Sequence, residues 1–321
     1  MHRIASISAV VLALAGVSAC HHHASEMAPR FSEAMTLGGQ TVSAATLTHG
    51  GEVYTHYCRP CHGAKGDGKG PSAPGLRPPP RDFRLGTFKF AAVAGGQLPN
   101  DEDLRRIIKG GLHGTPMLKW DVPEAEMAPL IAYLKTFSPR WKTDKPGDPI
   151  VASPDPWAGK VAEGIERGKR VYHGMAQCAV ACHPNYATKQ EIFDFTKELT
   201  SMELTQFRDD MYGSIAKDSD YGVKILPPDF TYSRLRSGEM PPDIYRTIAS
   251  GIGGTAMPTW KGVLPETDLW AMTHYVKSLV DLRETSAADA LRDRLANQPA
   301  WSPPPPPPPT TPDAGTPPAR K

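Results

Sequence analysis

Two short cysteine motifs are the residues of this chain best equipped for chemistry. Cys58-Arg59-Pro60-Cys61-His62 sets two thiols one helical turn apart and follows them at once with an imidazole. Cys178-Ala179-Val180-Ala181-Cys182-His183 repeats the arrangement with three residues between the thiols instead of two. Three chemistries fit such a pair: a redox dithiol, half of a zinc site, or addition of both sulfurs to the vinyl groups of a haem whose iron the next histidine ligates. Zinc needs four convergent ligands and does not account for the position of the histidine. Haem attachment uses every residue, because one turn matches two substituents on one side of a macrocycle and the adjacent imidazole then reaches the metal. At the wider motif, it stays open whether both thioethers form and whether the turn is a standard helix.

The elements around these motifs recur. Asp103, Arg106, Gly111, Gly114, Thr115, Met117 and Trp120 meet the same residue types 140 positions on, at Asp243, Arg246, Gly251, Gly254, Thr255, Met257 and Trp260. Leu104, Ile108 and Leu112 face Ile244, Ile248 and Ile252, a spacing of four that lays each trio on one helical face. Each block then closes with an amphipathic helix opened by proline, at Pro123-Glu124 and at Pro265-Glu266. The second block is longer between its first cysteine and its methionine. The extra residues lie between His183 and Pro227, where Ile192, Phe193, Phe195, Leu199, Leu204, Phe207, Met211 and Ile215 predict one or two further helices.

On these motifs the chain resembles the cytochrome c family, as two tandem domains at residues 46–141 and 158–281 joined by a linker at 142–157. The resemblance implies an all-α fold and two haem c groups bound through Cys58 and Cys61 and through Cys178 and Cys182. It implies iron held by His62 and His183, with Met117 and Met257 as the distal ligands. A methionine is ordinarily core packing. Here the identical placement beside glycines, which permit close backbone approach, favours ligation. A thioether opposite an imidazole favours ferrous iron and raises the potential. The family pattern also implies Trp120 and Trp260 beside the haems, and a helix crossing at Gly51 and Tyr54 and at Gly168 and Tyr172, with Tyr133 and Tyr275 as partners. A loop carbonyl that orients each proximal imidazole is to be sought in residues 71–80 and 226–228. Tyr172 stands eleven positions before His183, whereas Tyr54 stands eight before His62. His49, His56, His113, His173 and His274 are expected at the surface or in packing, with His113, four residues before Met117, the first to check.

The ends read differently. Arg3 followed by the apolar run 4–19 has the shape of a secretory leader, too short to span a bilayer, and Val17-Ser18-Ala19-Cys20 resembles a lipoprotein cleavage box. Residues 1–19 are therefore expected as signal peptide, Cys20 as the lipidated residue, and 20–45 as a flexible tether that includes the triplet His21 to His23. Five cysteines then divide as two, two and one, leaving none for a disulfide. Residues 282–321 read as a helical extension and a proline-rich tail, with the seven prolines 303–309 in polyproline II. The localisation expected is extracytoplasmic, anchored by lipid to a bacterial membrane and facing the periplasm.

A net charge of +2 without a basic stripe excludes nucleic acid as partner. Block 46–141 carries 13 Lys and Arg against 9 Asp and Glu, and block 158–281 carries 14 against 16, so the two differ in sign. With both axial positions filled and no other catalytic constellation, the resemblance implies a single-electron carrier. Its partners would be protein redox partners: a terminal oxidase, a dehydrogenase or a soluble cytochrome. Two alternatives stand beside it, a dihaem peroxidase in which Met257 is displaced, and an adaptor subunit of a respiratory complex.

Overall fold

The apolar periodicity resolves into helices gathered in two units, seen in a computed structural model that describes residues 30–305. The first unit opens with a small antiparallel hairpin, β1 (Met35–Leu37) and β2 (Gln40–Val42). Helix α1 (Ala44–Tyr57) starts at Ser43, whose hydroxyl accepts the Thr46 amide, and leads into the single turn α2 (Arg59–His62). Helices α3 (Asp101–Gly110), α4 (Glu124–Lys135) and α5 (Arg140–Thr143) complete the unit.

The second unit runs α6 (Val161–Arg170), a π-helical turn at Val171–Met175, α7 (Cys178–Ala181), α8 (Lys189–Thr200), α9 (Pro241–Ser250), α10 (Glu266–Val280) and α11 (Ser286–Ala296). The protein is thus mostly helical, as its sequence predicts, and the two block-closing helices begin directly after Pro123 and Pro265.

In each unit the first long helix crosses the block-closing helix where a glycine removes the side chain. A Cβ on Gly50 would collide with the carbonyl of Pro129 in α4, and one on Gly168 with the carbonyl of Ala271 in α10. Gly50, not the expected Gly51, makes the first crossing. The aromatic partners are as expected: Tyr54 packs 5.2 Å from Tyr133, and Tyr172 packs 5.6 Å from Tyr275. Tyr54, Leu104, Ile108, Leu130 and Ile131 form the first core, and Tyr172, Ile244, Tyr245, Leu269 and Met272 the second.

The inserted segment contributes one helix, α8, which buries Ile192 against Ala187 and Met211. Ser201 ends α8 in the left-handed conformation (φ 59°), and no second helix follows before Pro227. Its apolar residues are covered from the other end of the chain, where Trp301 packs on Phe193 and Phe207 and Gln298 accepts the Lys189 amide. The segment between the units also packs down: Trp157 donates to the Thr267 carbonyl at 2.8 Å, and the Ile150 amide to Ala92 at 2.7 Å. The leader, Cys20, the histidine triplet and most of the proline run lie outside the described residues. Among the described residues no helix is long and apolar enough to cross a membrane.

Candidate haem site

Cys58, Cys61, His62 and Met117 line one cavity in the first unit, with an empty volume of about 1240 Å³ including the part that opens to solvent. Its walls are chiefly apolar, from α3, α4 and the Met117 loop, and Trp120 stands at its edge. Two thiols, an imidazole and a thioether around an apolar space large enough for a macrocycle fit a covalently held haem.

The imidazole is prepared for a metal. His62 Nδ1 lies 3.0 Å from the Arg81 carbonyl, which can only accept, so Nδ1 carries the proton and Nε2 keeps its lone pair. Burial lowers the His62 pKa, which keeps the ring neutral. The Phe83 ring stacks on it at 4.5 Å between centroids. In the second unit His183 Nδ1 donates to the Pro228 carbonyl at 3.2 Å, the Phe230 ring stacks at 5.0 Å, and burial pushes the imidazole down to about 4. Cys178, Met257 and Trp260 pack against the core that contains Phe230.

The orienting carbonyls come from Pro228, inside the segment marked for search, and from Arg81, one residue past the other. Both carbonyls share a sequence signature. Pro80-Arg81-Asp82-Phe83 and Pro227-Pro228-Asp229-Phe230 share the pattern Pro-x-Asp-Phe. In each, x supplies the carbonyl, the aspartate caps the amide two residues on (Arg84 at 3.0 Å, Thr231 at 2.9 Å), and the phenylalanine covers the imidazole.

The methionine loops share the hydrogen bonds around the methionine. Leu112 and Ile252 amides donate to the Met117 and Met257 carbonyls at 2.8 and 3.2 Å. Thr115 and Thr255 hydroxyls donate to the Leu112 and Ile252 carbonyls, and they accept the Met117 and Met257 amides at 3.1 and 3.2 Å. Gly111 and Gly251 sit at φ 66° and 70°, conformations open to glycine at little cost.

The wider cysteine motif closes as one wide turn. His62 returns its amide to Cys58, four residues back, at 2.9 Å; His183 returns its amide to Cys178, five back, at 3.1 Å. The longer approach from tyrosine to histidine is absorbed upstream, by the π-helical turn and by Gln177 in the left-handed region (φ 51°). Tyr54 and Tyr172 consequently donate to equivalent carbonyls, those of Gly63 at 2.7 Å and Pro184 at 3.1 Å, each just after the histidine.

The competing thiol chemistries fare poorly. Burial, with a smaller contribution from the neighbouring cysteine, raises the Cys58 thiol to about 12, and burial raises Cys178 likewise to about 12. Reactive dithiols need the opposite shift. Among the described residues no three His, Cys, Asp or Glu side chains converge as a metal-binding group, so zinc lacks its ligand set. The other histidines are engaged elsewhere. His173 is buried between Asn185 Oδ1 and the Tyr275 hydroxyl, both at 3.1 Å, and His274 Nε2 meets Asp155 at 2.8 Å. His49 pairs with Glu52, His56 lies edge-on to Tyr57, and the exposed His113 donates its backbone amide to the Arg236 carbonyl.

Residues 45–134 match the family model of cytochrome c oxidase, cbb3-type, subunit III. The structure is similar to a chain of the Kuenenia stuttgartiensis reducing HAO-like protein complex Kustc0457/Kustc0458. That match has 30% identity and a TM-score of 0.57, and it covers 72% of this chain and 96% of that one. The chain belongs to the cytochrome c family. Membership carries covalently bound haem c and a role in electron transfer. The family model stops within the first unit of this cytochrome, whereas a 72% share exceeds either unit alone, so the likeness to the solved chain runs across both. No curated protein matches the sequence.

Proposed function

We propose that this cytochrome c is a dihaem electron carrier, held by an N-terminal lipid on Cys20 to a bacterial membrane and facing the periplasm. Duplication of the whole ligand cradle carries the reading: carbonyl-oriented imidazole, stacked phenylalanine and hydrogen-bonded methionine loop occur in both units. The similarity that runs across both units supports it further.

In this reading Cys58 and Cys61 hold one haem and Cys178 and Cys182 the other. His62 with Met117, and His183 with Met257, fill the axial positions. Bound haem supplies a one-electron couple. The protein sets that couple by a neutral imidazole fixed through Nδ1, a neutral thioether opposite, and apolar walls that disfavour the more charged ferric state. With both axial positions filled, no coordination site is left for a substrate, which favours transfer over catalysis. Both methionine loops reach the boundary between the units: the His113 amide donates to the Arg236 carbonyl at 3.0 Å, and Gly253 abuts the Phe88 carbonyl. An electron entering one unit therefore has a packed protein route to the other. The solved relative is part of a protein complex, which supports protein redox partners, and the leader and Cys20 support the anchor.

An optical redox titration of the mature protein tests this. Two one-electron waves are expected, with Met117→His lowering one midpoint and Met257→His the other. Rapid turnover of hydrogen peroxide by the half-reduced protein would instead establish a peroxidase.

A further inference from the structure

The cavity of the first unit carries a group of three cations outside its ligand set. Arg81 and Lys89 come from the first unit and Arg236 from the second, and all three line the cavity. Among the described residues none is paired with a carboxylate; the nearby Asp82 is taken by Arg84, at 2.7 Å. Arg81 and Lys89 share one aromatic platform, the Tyr221 ring, at 3.6 and 4.9 Å from its centre. Tyr221 belongs to the insertion of the second unit and is fixed by its hydroxyl, which donates to the Gly253 carbonyl at 2.7 Å. Arg236 is fixed in turn through its carbonyl, which accepts the His113 amide.

Three like charges lining an apolar cavity are an unfavourable arrangement unless an anion joins them. The strain shows in Lys89, which burial and then the charges of Arg81 and Arg236 push down to about 8. The occupant that suits such a cavity is amphiphilic, with an apolar body and carboxylates at one edge, and a haem carries two. Arginine and carboxylate form charge-assisted bonds stronger than neutral ones.

We propose that Arg81, Lys89 and Arg236 form a seat for the two carboxylates of the first haem, so that the second unit completes the binding site of the first. This rests on the reading that the first unit holds haem. The second unit supplies one cation directly and, through Tyr221, the platform that holds the other two. The first haem thereby senses whether the units are docked.

The test uses the full-length holoprotein and its Arg236→Gln and Arg236→Lys variants. Haem content and the Met–iron absorption of both sites serve as the control: haem missing from the first unit of the unmodified protein would defeat the underlying reading, not the seat alone. With haem content unchanged, Arg236→Gln is expected to lower the first midpoint by up to about tenfold in the one-electron equilibrium, ~59 mV. The second midpoint stays within error, and Arg236→Lys recovers most of the shift. Reduced-minus-oxidised infrared spectra, with the haem carboxylates isotopically labelled, should show those carboxylate bands moving in Arg236→Gln; a charge acting only from a distance would leave them in place. Unmoved bands overturn the proposal, as does a first midpoint that shifts no more than the second. A first midpoint that responds to added inorganic phosphate at constant ionic strength would show that the seat takes a free anion, and would also overturn it.

Discussion

The first unit sets His62 by an ordinary helical step, and the second sets His183 by a wide one, yet both arrive at the same hydrogen bonds. His62 closes on Cys58 across four residues, and His183 closes on Cys178 across five. The tyrosine hydroxyl reaches the carbonyl after the histidine in both, although the second unit has three more residues to dispose of. The comparison teaches that the cradle is specified by fixed points: the Gly-Tyr crossing, the carbonyl behind the imidazole and the methionine loop. The chain between those points is free to lengthen, at the cost of a π-helical turn and one residue in the left-handed region.

The crossings give the strongest way to break this equivalence. Gly50→Ala and Gly168→Ala each drive a methyl group into a backbone carbonyl that cannot yield by side-chain rotation. Each should cost about 3 kcal/mol or more in chemical denaturation, with loss of haem from its own unit first. Equal costs would support two copies of one architecture. A mild effect at Gly168 would show that the wider turn has loosened the second crossing.

A second effect should separate the units by pH. His173 follows Tyr172 and is buried neutral, with its pKa pushed down to about 3 by burial, whereas Thr55 follows Tyr54 in the first unit. A folded-state pKa below the unfolded value means that the stabilisation is whole above about 6.5 and is lost as pH falls from there toward 3. Between pH 6.5 and 5 the second unit should lose about 2 kcal/mol, and His173→Gln should flatten that slope in thermal denaturation. The first unit has no counterpart of His173, so His173→Gln should leave its pH dependence unchanged.

Smaller changes sharpen the match. Tyr54→Phe and Tyr172→Phe each leave a carbonyl next to the histidine without its donor and should cost about 1–2 kcal/mol apiece, as read by urea titration. Gln177→Gly relieves a non-glycine residue held at φ 51° and should stabilise the second unit by up to ~1 kcal/mol. No counterpart in the first unit should respond, because Cys58 follows α1 directly in the right-handed conformation.

The sequence made the all-α fold legible, because apolar residues at helical spacing and prolines before Glu124 and Glu266 mark helices whatever surrounds them. The methionine loops were legible as well, since a repeat of seven identical residues leaves little room for a different backbone. Three features were hidden. Sequence alone points to Gly51 because either of two adjacent glycines could face α4; the four-residue spacing shared by Gly50–Tyr54 and Gly168–Tyr172 resolves it. The insertion predicts up to two helices because Leu204, Phe207, Met211 and Ile215 keep an apolar rhythm. In the fold that rhythm is met by Trp301 and Gln298 from the far end of the chain, a tertiary partner that no local pattern announces. The Pro-x-Asp-Phe pairs are not legible in sequence because they lie at different distances from their histidines, and only the folded chain puts Phe83 and Phe230 over them.

The claim that both units hold haem alike is tested most directly by mass spectrometry of peptides from the mature holoprotein. The account predicts one haem on the peptide with Cys58 and Cys61 and one on the peptide with Cys178 and Cys182, each joined through two thioethers. Free thiols at Cys178 and Cys182, or a single haem per chain, would contradict it.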